Sequence, residues 1–192
     1  MNQNRPCRLS NVTNDYLTTF HCILDHMIQE MTGAELTNNI SYNFIVQMIP
    51  HHRAAIEMSR NLLKYTTFLP LQDIAAQIIT EQTRSIENMR RVLCTCGRLD
   101  NCEQDVCRYQ EKTGQIMKVM FDQMENACAS NQLNANFMRE MIPHHRGAVE
   151  MSENALKYQI CPELIPILEA IISSQKRGIC QMKQLLRCMG CC

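Results

Sequence analysis

The stretch "MIPHHRAAIEMS" at residues 48–59 returns as "MIPHHRGAVEMS" at residues 141–152, a spacing of 93 positions in a chain of 192. The same offset carries Tyr16 onto Tyr109, Met27 onto Met120, Met31 onto Met124, and Asn43-Phe44 onto Asn136-Phe137. Downstream it carries Asn61 onto Asn154, Leu63-Lys64-Tyr65 onto Leu156-Lys157-Tyr158, Gln82 onto Gln175, Ile86 onto Ile179 and Met89 onto Met182. A repeat of this extent constrains architecture more than any local propensity, because one helical unit written twice must be packed twice. The chain reads as one domain, 1–192, with unit one at about 14–93, a polar linker at 94–108, and unit two at about 109–188.

Each unit reads as three helices. Leu17, Phe20, Leu24, Met27 and Met31 recur at three- and four-residue steps, with Gly33 as a stop, which predicts a leading helix over 14–32. A second helix is expected from Asn39 to Tyr65. A third opens near Pro70, a favourable first-turn residue, with Leu71, Ile74, Ile78, Gln82, Ile86, Met89 and Leu93 on one stripe. No segment alternates with a period of two, so no sheet is expected. The predicted class is all-α: two long helices from each unit form a four-helix bundle, and the leading helices at 14–32 and 109–129 pack outside it.

On an ideal helix, Arg53, Glu57, Arg60 and Lys64 fall on the solvent side. Phe44, Met48, His51, Ala55, Met58, Leu62 and Tyr65 form an apolar line opposite, and Ile45, His52, Ile56 and Leu63 form a second line beside it. Both histidines therefore point inward. Pro50 and Pro143 either kink the helix, freeing the carbonyls of Val46 and Arg139, or start a new one. Gln82 and Gln175 interrupt apolar stripes, and a facing histidine is the expected partner for each buried amide. Met89 and Met182 lie two turns further along those stripes.

A single buried histidine is usually a hydrogen-bonded core residue, and methionine stripes are usually packing. Four imidazoles, flanking thioethers and two amides in one core are costly to bury unless something there satisfies them, which points to a metal. Glu57 and Glu150 fall on the solvent face, so the core lacks the carboxylates that dinuclear iron bundles use. Imidazole with thioether suits Cu(I) best; zinc or iron is less well matched.

The doubled motif, with helices ending in "QTRSIENM" and "QKRGICQM", resembles the bacterial family known as domain of unknown function 305. The resemblance spans about residues 40–186. It implies a ferritin-like bundle, links some members with copper binding and tolerance, and implies a ligand set of His51, His52, Met48 and Met58 with His144, His145, Met141 and Met151. The cysteine richness, 12 residues, stands outside that family pattern. Cys94, Cys96, Cys102 and Cys107 could close a zinc or Cu(I) thiolate site in the linker, or be exposed thiols or disulfides. Cys188, Cys191 and Cys192 mark the equivalent end of unit two.

Composition narrows the classes. Formal net charge is zero with no Lys/Arg run, which argues against nucleic acid and anionic membranes as partners. Apolar windows such as residues 164–172 are too short to span a bilayer, no secretory leader is evident, and a cytoplasmic setting with reduced thiols is expected. The functional expectation is a metal-binding protein that stores, buffers or confers tolerance to Cu(I), as monomer or homo-oligomer. The alternatives are a ferritin-like metal-dependent oxidoreductase and a non-metal helical interaction module; enzymatic activity is the less favoured option.

Overall fold

The computed structural model describes residues 8–96 and 99–190. Within them the chain forms α1 (Asn11–Thr32), α2 (Ile40–Leu63), α3 (Leu69–Cys96), α4 (Glu103–Glu125), α5 (Leu133–Ala155) and α6 (Ile165–Cys188), with a 3-10 turn at Pro162–Leu164 before α6. No strand occurs among the described residues. Cys191 and Cys192 lie outside them.

Local chemistry sets most boundaries. The Ser10 hydroxyl accepts from the Thr13 amide at the start of α1, and the Asn39 side chain does the same for Tyr42 at the start of α2. Pro50 and Pro143 sit inside continuous helices, so neither starts a new one. The linker is shorter than expected. Helix α3 runs on to Cys96, and α4 begins at Glu103 rather than 109, with Glu103 and Asp105 in its first turn favouring the positive helix end.

Helices α2 and α5 are buried around almost their whole circumference and form the centre. Helix α1 packs on α2 and α4 on α5; α3 packs on α2 and α6 on α5. The two halves meet through α2 against α5 and α3 against α6. Several local devices recur 93 positions apart. Asn61 Nδ2 donates to the Tyr16 carbonyl at 3.1 Å, and Asn154 Nδ2 to the Tyr109 carbonyl at 3.2 Å. Asn43 closes the loop before α2 through both backbone groups of Thr37 (2.8 Å each), and Asn136 does so before α5 through Ser130 (3.0 and 2.7 Å). These bonds account for asparagine at both sets of positions: Asn43 and Asn136 satisfy loop backbone groups, and Asn61 and Asn154 tie the central helices to α1 and α4.

Between these caps lie Phe44, Phe137, Leu24 and Leu168, fully buried. Burying one such side chain stabilises the fold by roughly 1.5–3 kcal/mol. The expected second line of α2 stops short, since Leu63 at the helix end is 36% exposed. A disulfide, Cys96–Cys161, ties the end of α3 to the loop ahead of α6. Beside it Asn101 holds both halves, accepting from the Ile40 amide (2.9 Å) and donating to the Gln159 carbonyl (2.7 Å).

Candidate metal site

His51 on α2 and His144 on α5 meet where the central helices cross. Their rings stack with centroids 3.7 Å apart and planes 29° from parallel. His51 Nε2 lies 3.1 Å from the His144 carbonyl, and His144 Nε2 lies 3.1 Å from the His51 carbonyl. A carbonyl only accepts, so both Nε2 atoms carry the proton and both Nδ1 atoms carry a lone pair. The carbonyls engaged are those of the histidines themselves, not those of Val46 and Arg139 that proline was expected to free. His52 and His145 flank the stack, with ring centroids 5.8 Å from His51 and 5.9 Å from His144 respectively.

The flanking pair differs in its neighbours. His52 Nε2 is 3.1 Å from the Ser85 hydroxyl on α3. The position 93 later is Gly178, where an added Cβ would stand 2.9 Å from His145 Cδ2 and 3.1 Å from its Nε2. The missing side chain therefore lets α6 close directly onto that ring. The Nδ1 atoms of His51, His52, His144 and His145 are all buried without a hydrogen-bond partner. So are Gln82 Oε1 and Nε2 and Gln175 Oε1, which corrects the expectation that a histidine ring satisfies each amide. Ser85 takes that role for His52.

Burial controls the charge of this cluster. Loss of solvation holds His51 down to about 4 and His145 down to about 3, the latter helped by His51 nearby. His52 and His144 are held well below the ordinary histidine value, by loss of solvation first and by neighbouring imidazoles second. Four neutral rings remain at pH 7, the protonation state a metal ligand needs. Met48, Met58, Met141 and Met151 are fully buried on the same helices, as are Met89 on α3 and Met182 on α6. Among the described residues no three His, Cys, Asp or Glu side chains already converge on one point.

Two expectations need correction. The thiol cluster does not assemble: Cys96 turns inward to bond Cys161, while Cys94, Cys102 and Cys107 are exposed free thiols. The core is also not free of carboxylates. Glu140, one turn before His144 on α5, is 3% exposed and accepts a 2.6 Å hydrogen bond from the Tyr16 hydroxyl on α1. Burial lifts this carboxyl to about 7, partly offset by the Tyr16 bond. Its counterpart in the first half is Gln47, whose amide donates to the Met31 carbonyl at 3.3 Å. The four-residue spacing to His144 was the signal for burial, since it puts both side chains on one helix face.

The chain is an all-helical protein whose core buries four imidazoles on its two central helices. The chain belongs to the family described as Domain of unknown function (DUF305), whose profile matches residues 24–93 and 41–186. Among solved structures, the silver-bound form of CopM, obtained by soaking, is 27% identical, with a TM-score of 0.58 over 80% of this chain and 97% of that one. No curated protein matches. No described helix is long and apolar enough to cross a membrane.

Proposed function

We propose that this protein binds Cu(I) in its core and serves to store, buffer or confer tolerance to it. The observation that carries the reading is the set of four buried, unpartnered Nδ1 atoms, two of which, on His51 and His144, are held as lone pairs by ring-to-carbonyl bonds. A ligating histidine commonly gives its other N–H to a carbonyl, which orients the ring and raises its basicity. Burying such atoms without a partner is costly, and a bound cation would offset that cost. His51, His52, His144 and His145 are the imidazole donors in this proposal, with Met48, Met58, Met141 and Met151 supplying sulfur. Met89 and Met182 stand in reserve, and Gln82 and Gln175 line the approach.

Silver in the similar CopM structure supports a soft monovalent cation, since Ag(I) and Cu(I) share a preference for nitrogen and thioether donors. A ferritin-like bundle made from a duplicated unit is the frame we infer for this site, from the bonds that recur 93 positions apart. An iron oxidoreductase is disfavoured. Glu140 is the one buried carboxylate among the described residues, with Gln47 at the equivalent position of the other half, against the several that a dinuclear iron core requires. A cytoplasmic setting remains part of the proposal, with the deeply buried Cys96–Cys161 bond shielded from cellular thiols.

The test is a titration of metal-free protein with Cu(I) against a competing chelator, repeated on the His51→Ala/His52→Ala/His144→Ala/His145→Ala variant and on Met48→Leu/Met141→Leu. The Leu pair conserves core volume, so it probes ligation without emptying the site. Both variants are expected to lose at least tenfold in affinity. Wild-type affinity in both would overturn the proposal.

A further inference from the structure

Helices α3 and α6 are joined at their crossing by Arg177 and Glu81, whose side chains meet at 2.7 Å. On one side of that bridge lies a cavity of about 510 Å³ that reaches inward to His52, Gln82 and Gln175. Beneath the bridge a void of about 10 Å³, the room of one water-sized sphere, touches Gln82, Gln175 and His145. Gln82 and Gln175, which line both spaces, are 2% and 3% exposed, and each keeps a buried amide oxygen without a partner.

A bare ion needs no chamber of this size. Small-molecule sites run from about 300 to 1,000 Å³ and combine apolar walls with a few fixed polar groups. Here Ile171 and Pro166 form part of the wall, the amides and His52 form the floor, and the charged lining residues are Glu81, Arg84 and Arg177. Arg177 is neutralised by Glu81, whereas Arg84 makes no ion pair among the described residues. The mouth thus carries one uncompensated positive charge above a polar floor that leads to an imidazole.

We propose that this α3/α6 cavity binds a small carboxylate-bearing thiol that carries Cu(I), and that the ion passes from it to His52 at the floor. The proposal rests on the Cu(I) reading above. Cu(I) is held in water by soft ligands rather than as a free ion, so a buried soft site must receive it by ligand exchange. In that exchange the Cu–S bond to the carrier breaks as bonds to imidazole and thioether form. Copper stays at +1, and the released thiolate takes a proton from water. Arg84 holds the carrier's carboxylate, and the part-exposed Ser85, Asn88 and Ser174 on the walls hydrogen-bond its peptide-like groups.

Loading rates of metal-free protein are measured with two donors, the Cu(I) complex of glutathione and Cu(I) in acetonitrile, for wild type, Arg84→Glu and Ala170→Trp. Ala170 lines the exposed wall of the cavity, and an indole there fills it without touching the core. The rate from the glutathione complex is expected to saturate with donor concentration, and to fall at least tenfold in both variants. The rate from the acetonitrile complex and the final Cu(I) affinity are expected to stay within twofold of wild type. Equal effects on both donors, or a strictly linear dependence on the glutathione complex, would overturn the carrier site while leaving Cu(I) binding intact. Failure to take up Cu(I) from either donor would overturn both proposals.

Discussion

Acidification pits two buried groups of opposite sign against each other, and the structure says which prevails. Metal-free protein is taken from pH 7 to pH 5. His51 and His145 are held at about 4 and about 3, against 6.5 for the ordinary side chain. A base whose folded value is depressed contributes stability above its unfolded value and loses it as pH falls toward the folded one. Over this window the unfolded chain takes up about 0.7 of a proton at each position and the folded chain almost none, so each costs about 2 kcal/mol, or about 4 together. Glu140 works the other way. Its folded value is raised from 4.5 to about 7, so its contribution is present at low pH and lost as pH rises through 7. Acidification to pH 5 returns about 2 kcal/mol from it. The net is a loss of about 2 kcal/mol, to which His52 and His144 add in the same direction. With a urea slope of about 1–3 kcal/mol/M, the unfolding midpoint followed by far-UV circular dichroism should drop by about 1 M or more. In Glu140→Gln the opposing contribution is gone and the drop should steepen by about 2 kcal/mol. A midpoint that holds steady or rises from pH 7 to 5, or an equal slope in Glu140→Gln, would refute the assignment of buried neutral imidazoles opposed by a buried carboxyl.

Gly178→Ala should destabilise by about 1–3 kcal/mol in the same assay, because the new Cβ meets the His145 ring. Gly114→Ala on α4, where nothing lies within 4 Å of the added methyl, should instead stabilise by about 0.5–1 kcal/mol. Cys96→Ser/Cys161→Ser opens a loop of 65 residues and should cost about 4 kcal/mol at neutral pH, read as a lower urea midpoint. Tyr16→Phe leaves the Glu140 carboxyl buried without its donor, and should cost about 1–3 kcal/mol above pH 7 with a smaller penalty at pH 5, where the carboxyl is neutral.

Much of the fold was legible because periodicity and capping act locally. The stripe from Leu17 to Met31 and the stop at Gly33 define α1 to within a few residues, and Asn39 and Pro70 mark the next two starts. The inward aim of His51 and His52 followed from helix geometry alone. What sequence could not supply was contact between segments far apart. The stack of His51 on His144, the Tyr16–Glu140 bond and the Cys96–Cys161 bridge join residues 93, 124 and 65 positions apart, and depend on how helices cross rather than on any local pattern. Cys96 shows the difference at short range. It and Cys94 are two residues apart on the last turn of α3, one turned to the core and the other to solvent, although composition makes them look equivalent. Glu140 was readable from its spacing to His144 but not its meaning, which needed the hydroxyl of a tyrosine on α1.

The reciprocal bonds at the crossing have an evolutionary and practical corollary. Each stacked imidazole, His51 and His144, spends its proton on backbone belonging to the other half, so neither half holds this histidine centre by itself. Two separate copies of such a unit would have to find one another, and their centre would dissolve on dilution. Covalent tethering supplies the partner at a fixed local concentration, so the centre persists however scarce the protein becomes.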